Sequence, residues 1–373
     1  MFSLLGTLVF YDIIIIVCFL LCSRYEKTNN KFYKYCPYLI LLLVSVFRYD
    51  IGADYENTYL SIHSLIKQPS ELLLGSFIDE NSRTPGLRIL TILFQFFPHP
   101  ELWVIGAYSV IFISSIYFVL NHYNVHKWGI PIIFLSFLIF QSWDWIKQSA
   151  SMALIACSFV YIDTSKIRKA ACCLLLAIFF HLSSIFAFPI LFLNKIRFSS
   201  HLMSYILIGV FILAEMHFFD EVYNTLLIMT PFYGELYSTS NQYAEMENYI
   251  FTSTSYIFFS IWSIFITYFS TKETQFYNIL FFIGSILYMV SGGSLLIDRI
   301  STYYMMSQIV IFPMMMQNRK RANIIKIVFG LMILANFILV NRRFYEYGDI
   351  RGCVPYQTIF SDECDHKKFR IRD

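Results

Sequence analysis

The sequence predicts an all-α protein that crosses a membrane many times, and three observations lead there. Of 373 residues, 57% are hydrophobic and 14% charged, against roughly 25% charged in soluble domains. The mean hydropathy is +0.58. The apolar residues gather in long runs separated by short polar loops, and a helix needs about 20 such residues to cross the hydrocarbon. With 14 Gly, 10 Pro and no low-complexity tract, disordered and collagen-like classes are excluded. A formal net charge of +3 with basic residues scattered over separate loops gives no stripe for a nucleic acid.

The elements follow in order. The opening run 2–22 lacks a basic n-region and a small-residue cleavage site, so it reads as a retained first span. Further runs lie at 36–47, 101–120, 129–143, 149–162, 170–193, 201–219, 251–270, 275–297, 300–317 and 324–341. With short and re-entrant segments this makes about 11–13 transmembrane helices, in one membrane domain over 1–341 with a polar tail at 342–373. Leu87 to Phe97 is too short to span and reads as re-entrant. The run 170–193 is interrupted by His181 and Ser183–Ser184, which predicts one long tilted helix or two half-helices meeting near the outer side.

Taking 170–193 as a hairpin puts loops 24–35, 121–128, 163–169, 194–200, 271–274 and 318–326 on one side. They hold fifteen Lys and Arg against three acids, so the positive-inside tendency makes them cytoplasmic. The other side, tail excluded, carries six basic residues and fourteen acids. Loops 48–85 and 220–249 and both termini are then extracytoplasmic. In the first loop, Thr58 to Phe77 suits an interfacial helix broken at Pro69. Five tyrosines of the second suit the headgroup level, with a platform for a sugar ring as the alternative. Six of the eight cysteines lie in apolar stretches without a CxxC pair, which reads as packing rather than a metal site. Cys353 and Cys364 sit in the polar tail, where an outside location predicts a disulfide.

Ionisable residues at span ends are costly to dehydrate and mark water-filled cavities. Such clusters are Phe47 to Tyr55 with Tyr59, Ser82 to Gly86, Trp143 to Gln148, Phe180 to Ser184, and Asp298 to Tyr304. No phosphate loop, HExxH, GxSxG or dinucleotide fingerprint is present, so hydride transfer, zinc hydrolysis and nucleotide hydrolysis lose ground. The cations Arg48, Arg83, Lys147 and Arg299 suit an anionic lipid-linked ligand, because guanidinium grips phosphate oxygens bidentately. An arginine at a helix end can equally snorkel to headgroups, and Lys147 can pair with Asp144 one turn earlier. His181, Asp54 and Asp298 are the competing general bases, with a satisfied core histidine as the plain alternative for His181.

These residues resemble a known family, the bacterial extracellular-polysaccharide polymerases of the EpsG type, related to the Wzy O-antigen and capsule polymerases. The resemblance rests on Arg48 to Asp54-Tyr55 with Tyr59, on Pro85-Gly86 before an apolar segment, and on Lys147-Gln148 followed by Ser149, Ala150 and Ala153. It continues through Phe180 to Ser184, Arg299 to Tyr303-Tyr304, and Pro355-Tyr356 to Phe360. The family commonly has Glu before Pro-Gly and Arg before Gln, whereas this chain has Thr84 and Lys147. Lysine lacks the bidentate geometry of arginine.

The resemblance implies a membrane glycosyltransferase using lipid-linked donors. It would join undecaprenyl-pyrophosphate-linked oligosaccharide repeats at the outer face of the cytoplasmic membrane and release undecaprenyl pyrophosphate. It implies no cofactor and no metal. Partners would be the lipid-linked oligosaccharide and membrane lipid, with chain-length-regulator and export proteins as candidates. Arg48 and Arg299 are expected on the pyrophosphate, with Arg83 and Lys147 as secondary contacts. One of Asp54, Asp298 or His181 serves as base, and Tyr55, Tyr59, Gln148 and Tyr303 bind substrate. A flippase or transporter for the same lipid is the runner-up, lowered by the absence of a visible repeat of the two halves. A membrane acyltransferase using His181 is the third reading.

Overall fold

A computed structural model describes residues 4–52, 54–67, 84–136, 138–216, 218–219, 254–291, 295–317, scattered positions between 323 and 338, and 356–360. Arg83, the 220–249 loop, Cys353, Cys364 and most of the last expected span lie outside the described residues. Among the described residues the protein is all-α, as the composition predicts.

The helices are α1 Leu4–Thr28, α2 Lys31–Val46, α3 Tyr55–Lys67, α4 Pro85–Phe94, α5 Pro100–Tyr123, α6 His126–Leu135, α7 Leu138–Asp144 and α8 Ile146–Asp163. They continue as α9 Ile167–Phe180, a 3-10 turn Leu182–Ala187, α10 Ile190–Leu193, α11 Ser200–Glu215, α12 Thr254–Phe269, α13 Gln275–Val290, α14 Leu295–Met305 and α15 Gln308–Gln317. Local chemistry fixes several ends. Asn30 caps α2 by accepting from the Phe32 N–H, and Ser199 caps α11 by accepting from the Leu202 N–H. Pro85 and Pro100 open α4 and α5, where a missing N–H costs nothing.

Among the described residues, two helices are long and apolar enough to cross a membrane, Gly6–Thr28 and Pro100–Tyr123. Other predicted runs form shorter helices laid end to end. The run 129–143 divides at Ser136 between α6 and α7, and 300–317 divides between α14 and α15. The 170–193 run breaks at His181, whose backbone is extended (φ −155°, ψ 119°). Asn194 then returns to donate to the Ile162 carbonyl at 3.4 Å, so α9 and α10 leave from and come back to one end of the molecule. Of the two readings of that run, two half-helices meeting at the histidine is the one found. The expected helix over 58–77 is seen as α3 up to Lys67.

The basic loops share that same end. Lys127 pairs with Glu26 at 3.1 Å, Gln317 donates to the Asn124 carbonyl at 3.3 Å, and Tyr123 donates to Asp163 at 2.9 Å and meets Tyr277. Gln275 reaches the Phe198 carbonyl at 3.2 Å, and Ser200 meets Ser270 at 2.9 Å. Loops far apart in sequence thus converge at one end of the molecule.

At the centre lies α8, buried around most of its circumference. Its small residues Ser149, Ala150, Ser151, Ala153 and Ala156 let α5 and α9 approach closely. Their hydroxyls remain satisfied: Ser149 donates to the Ile146 carbonyl at 2.7 Å and Ser151 to the Ala177 carbonyl at 2.7 Å. On the periphery, α1 buries Tyr11, Cys18 and Cys22 yet exposes Ile13, Ile16 and Leu20. A helix apolar on both faces is unlike the amphipathic surface helix of a soluble protein.

Candidate active site

The end opposite the basic loops is built by three breaks in helical structure: the 47–54 segment, the α7–α8 junction at Trp145, and the extended backbone at His181. Each break brings polar groups to a helix terminus, where backbone groups are also available. Under them lies a second apolar core of Tyr49, Tyr55, Tyr59, Ile62, Leu87, Tyr108 and Ile146. It joins α3, α4, α5 and the start of α8.

The short helix α4 packs against α5 at one end and against the end of α9 at the other. Its C-terminal Phe94 stacks on Trp103 near the start of α5 (centroids 6.4 Å apart). Its N-terminal Gly86 lies against the Phe180 ring, so closely that a Cβ there would be 2.6 Å from Cδ1. Phe180 in turn meets Tyr108, well inside α5, edge-on at 5.7 Å. Thr84-Pro85-Gly86 is therefore delivered beside His181.

His181 is half-buried at the break. Its Nδ1 lies 2.7 Å from Ser183 Oγ and 3.2 Å from the Tyr303 hydroxyl, and those two oxygens are 2.8 Å apart. Ser183 and Tyr303 are buried, so they fix the ring while its other nitrogen carries none of that network. Arg299 and Lys147 both lie within electrostatic reach of the imidazole.

Lys147 stands in the first turn of α8, half-buried, within electrostatic reach of Asp54 and Arg299. Asp144 and Lys147 belong to separate helices, because the register breaks at Trp145. Arg299, half-buried in α14, sets its guanidinium over the Trp145 ring at 5.7 Å. Cation–π contact of this kind orients a guanidinium without consuming its donors. Gln148 is buried and donates to the Arg299 carbonyl at 2.9 Å, tying α8 to α14. Asp298, beside Arg299, is half-buried, and its carbonyl accepts from Ser301 and Thr302.

Arg48 is placed differently. It is 1% exposed, and its guanidinium donates to the Ser45 carbonyl and to Ser109 Oγ. Tyr55 and Tyr59 are likewise buried. Tyr55 stands edge-on to Tyr49 at 5.9 Å, and burial raises its phenol above the ordinary tyrosine range against the lowering pull of Arg48. Asp54, half-buried just before α3, accepts the Thr58 N–H through its carbonyl at 2.9 Å. The structure therefore brings Asp54, Lys147, His181 and Arg299 together, with Tyr303, Gln148 and Asp298 attached to them. Arg48, Tyr55 and Tyr59 support the segment that carries Asp54.

Sequence reasoning did not single out Ser183, Trp145, Ser109 or Tyr108 as site residues. Ser183 and Trp145 stand in the motifs that carry His181 and Lys147, so motif adjacency was a usable signal. Ser109 and Tyr108 lie inside an apolar helix and give none.

A family model described as the EpsG family matches residues 31–358. No curated protein and no solved structure matches the chain.

Proposed function

The chain belongs to the EpsG family, membrane proteins of polysaccharide biosynthesis, and from that premise we propose that it is a polymerase of lipid-linked repeat units. It spans the cytoplasmic membrane many times, with the basic loops inside and the site on the outer side. The observation that carries the reading is the convergence of Lys147 and Arg299 with Asp54 and His181, all half-buried, at the end away from the basic loops.

The substrates are undecaprenyl-pyrophosphate-linked oligosaccharides. A sugar hydroxyl of one unit attacks the anomeric carbon of another. The new C–O bond forms as the bond to pyrophosphate breaks, and the bonding electron pair leaves on undecaprenyl pyrophosphate. Arg299 and Lys147 hold the pyrophosphate, where fixed cations in a site shielded from water stabilise charge that grows in the transition state. His181 takes the hydroxyl proton, since its ring has the hydrogen-bonded orienter that nucleophile-activating bases use, here Ser183 backed by Tyr303. Asp54 balances Lys147 and steers it. Arg48 acts through the 47–54 segment it pins. A donor already activated as a lipid pyrophosphate needs no nucleotide site.

Purified protein in lipid bilayers given a lipid-linked repeat unit is expected to form polymer and release undecaprenyl pyrophosphate. His181→Ala should lose about 10²–10⁴-fold in rate, the usual worth of a general base, while Asp298→Asn keeps more activity. Transfer of the lipid between leaflets without any new glycosidic bond would favour the flippase reading instead.

Orientation is checked separately. Asn57 and Asn323 are exposed, so cysteines placed there report the two sides. In intact cells an impermeant thiol reagent is expected to label position 57 and spare position 323. The reverse pattern would invert the topology.

A further inference from the structure

The 47–54 segment carries Asp54 to Lys147, yet it has little regular structure of its own. Asp50 and Gly52 take positive φ angles, 52° and 103°, conformations that persist only where the surroundings over-determine them. Ser109 pins Arg48 from α5, and the α7–α8 corner lies against Gly52. The third support comes from the far end of the chain.

Residues 356–360 lie alongside 47–49. The Tyr49 N–H donates to the Gln357 carbonyl at 3.1 Å, the Ile359 N–H donates to the Phe47 carbonyl at 3.0 Å, and Arg48 and Thr358 form an antiparallel bridge. Phe360 packs on Phe47 with centroids 5.2 Å apart. Tyr356 anchors the arrangement from inside the bundle. It is 3% exposed, its N–H donates to Thr7 Oγ1 at 2.9 Å, and its hydroxyl donates to the Val44 carbonyl at 2.8 Å. Its ring fits between Phe10, Tyr11 and Trp143, at 5.0, 6.1 and 6.3 Å. One side chain thus ties α1, α2 and α7 to the segment that carries Asp54. Trp143 is drawn into the same unit by donating to Ser45 Oγ at 3.1 Å.

We propose that Tyr356 is a positioning residue, and that residues 356–359 form a strap which holds the 47–54 segment, and through it Asp54, in register with Lys147. Residues 356–360 are then part of the site and lie on the same membrane face. The kinetic half of this proposal rests on the polymerase reading; the docking half does not.

The test uses the full-length protein. Tyr356→Ala is expected to lower kcat/KM, measured per folded molecule, about 10²-fold, the scale of an ångström-sized misplacement. Tyr356→Phe keeps the packing and loses one buried hydrogen bond, so a loss of roughly 3- to 10-fold is expected. Docking is read without activity, by a short bis-methanethiosulfonate, which joins two cysteine thiols with release of methanesulfinate, on a Phe47→Cys and Phe360→Cys pair in a Cys353→Ser, Cys364→Ser background. The 47–360 cross-link should form with Tyr356 present and fall sharply in Tyr356→Ala.

An undiminished cross-link in Tyr356→Ala overturns the anchoring. A lost cross-link with wild-type kinetics overturns the positioning role. Activity that falls only in step with folded protein, with Tyr356→Phe unaffected, makes the residue merely structural and also overturns it. A wild-type chain that cross-links but makes no polymer counts against the polymerase reading, and the cross-link by itself then upholds or overturns the strap.

Discussion

Arg299→Ala is expected to abolish polymer, with a loss of about 10³-fold or more in kcat/KM, the range seen when a transition-state donor or an arginine acting on a phosphoryl group is removed. The fold should survive. The Arg299 carbonyl accepts from Gln148, and alanine keeps a carbonyl. The guanidinium itself rests on the Trp145 face and is aimed by it. Arg299→Lys restores charge but not the planar fork, so only part of the activity should return. Lys147 carries charge without the fork already, so this chain leans on Arg299 for bidentate contact. The measurement is polymer formation and affinity for undecaprenyl pyrophosphate at matched levels of folded protein. Chains of normal length and yield from the alanine variant would remove Arg299 from the mechanism.

Gly52→Ala is the second large effect. A Cβ at that position would lie 2.1 Å from the Trp143 carbonyl oxygen and 2.6 Å from its carbon, and the φ of 103° is one that L side chains rarely adopt. Both obstructing atoms are backbone, so no rotamer change relieves the contact. The 47–54 segment has to lift from the α7–α8 corner, taking Asp54 from Lys147. Polymerisation should fall at least about 10²-fold, and the 47–360 cross-link should weaken with it. Gly209→Ala is the control: it meets nothing within 4 Å on α11, and alanine favours a helix by about 1 kcal/mol over glycine. Wild-type activity in Gly52→Ala would show that the segment need not sit against Trp143.

How much of this was legible in the sequence depends on the range over which each signal acts. The helical class, the gathering of the basic loops at one end and the break at His181 are local. They follow from runs of apolar residues, from a polar residue interrupting such a run, and from which loops hold Lys and Arg. Local free energies of solvation and backbone hydrogen bonding decide them, so neighbours in sequence suffice. Several expected spans nonetheless divide into helix pairs. The break at Ser136 had no stronger mark than one serine, and whether a helix continues past it depends on what packs beside it.

The roles of charged residues were a different matter. Arg48 and Arg299 look alike in sequence, each beside an acid at the mouth of an apolar run. One is buried against Ser45 and Ser109, and the other is half-exposed over Trp145. A guanidinium satisfies its donors with a carbonyl as readily as with a phosphate, and only the positions of α5 and α8 determine which is within reach. Gln148 as a brace to α14, Ser183 as the partner of His181, and the union of Tyr356 with Thr7 and Val44 across more than 300 residues were also decided by packing. The sequence by itself determined that this chain is helical, which end gathers the basic loops and which side chains could meet an anion. Tertiary structure alone decided which of them come together, because contacts between distant residues depend on how the helices stack rather than on the residues beside them.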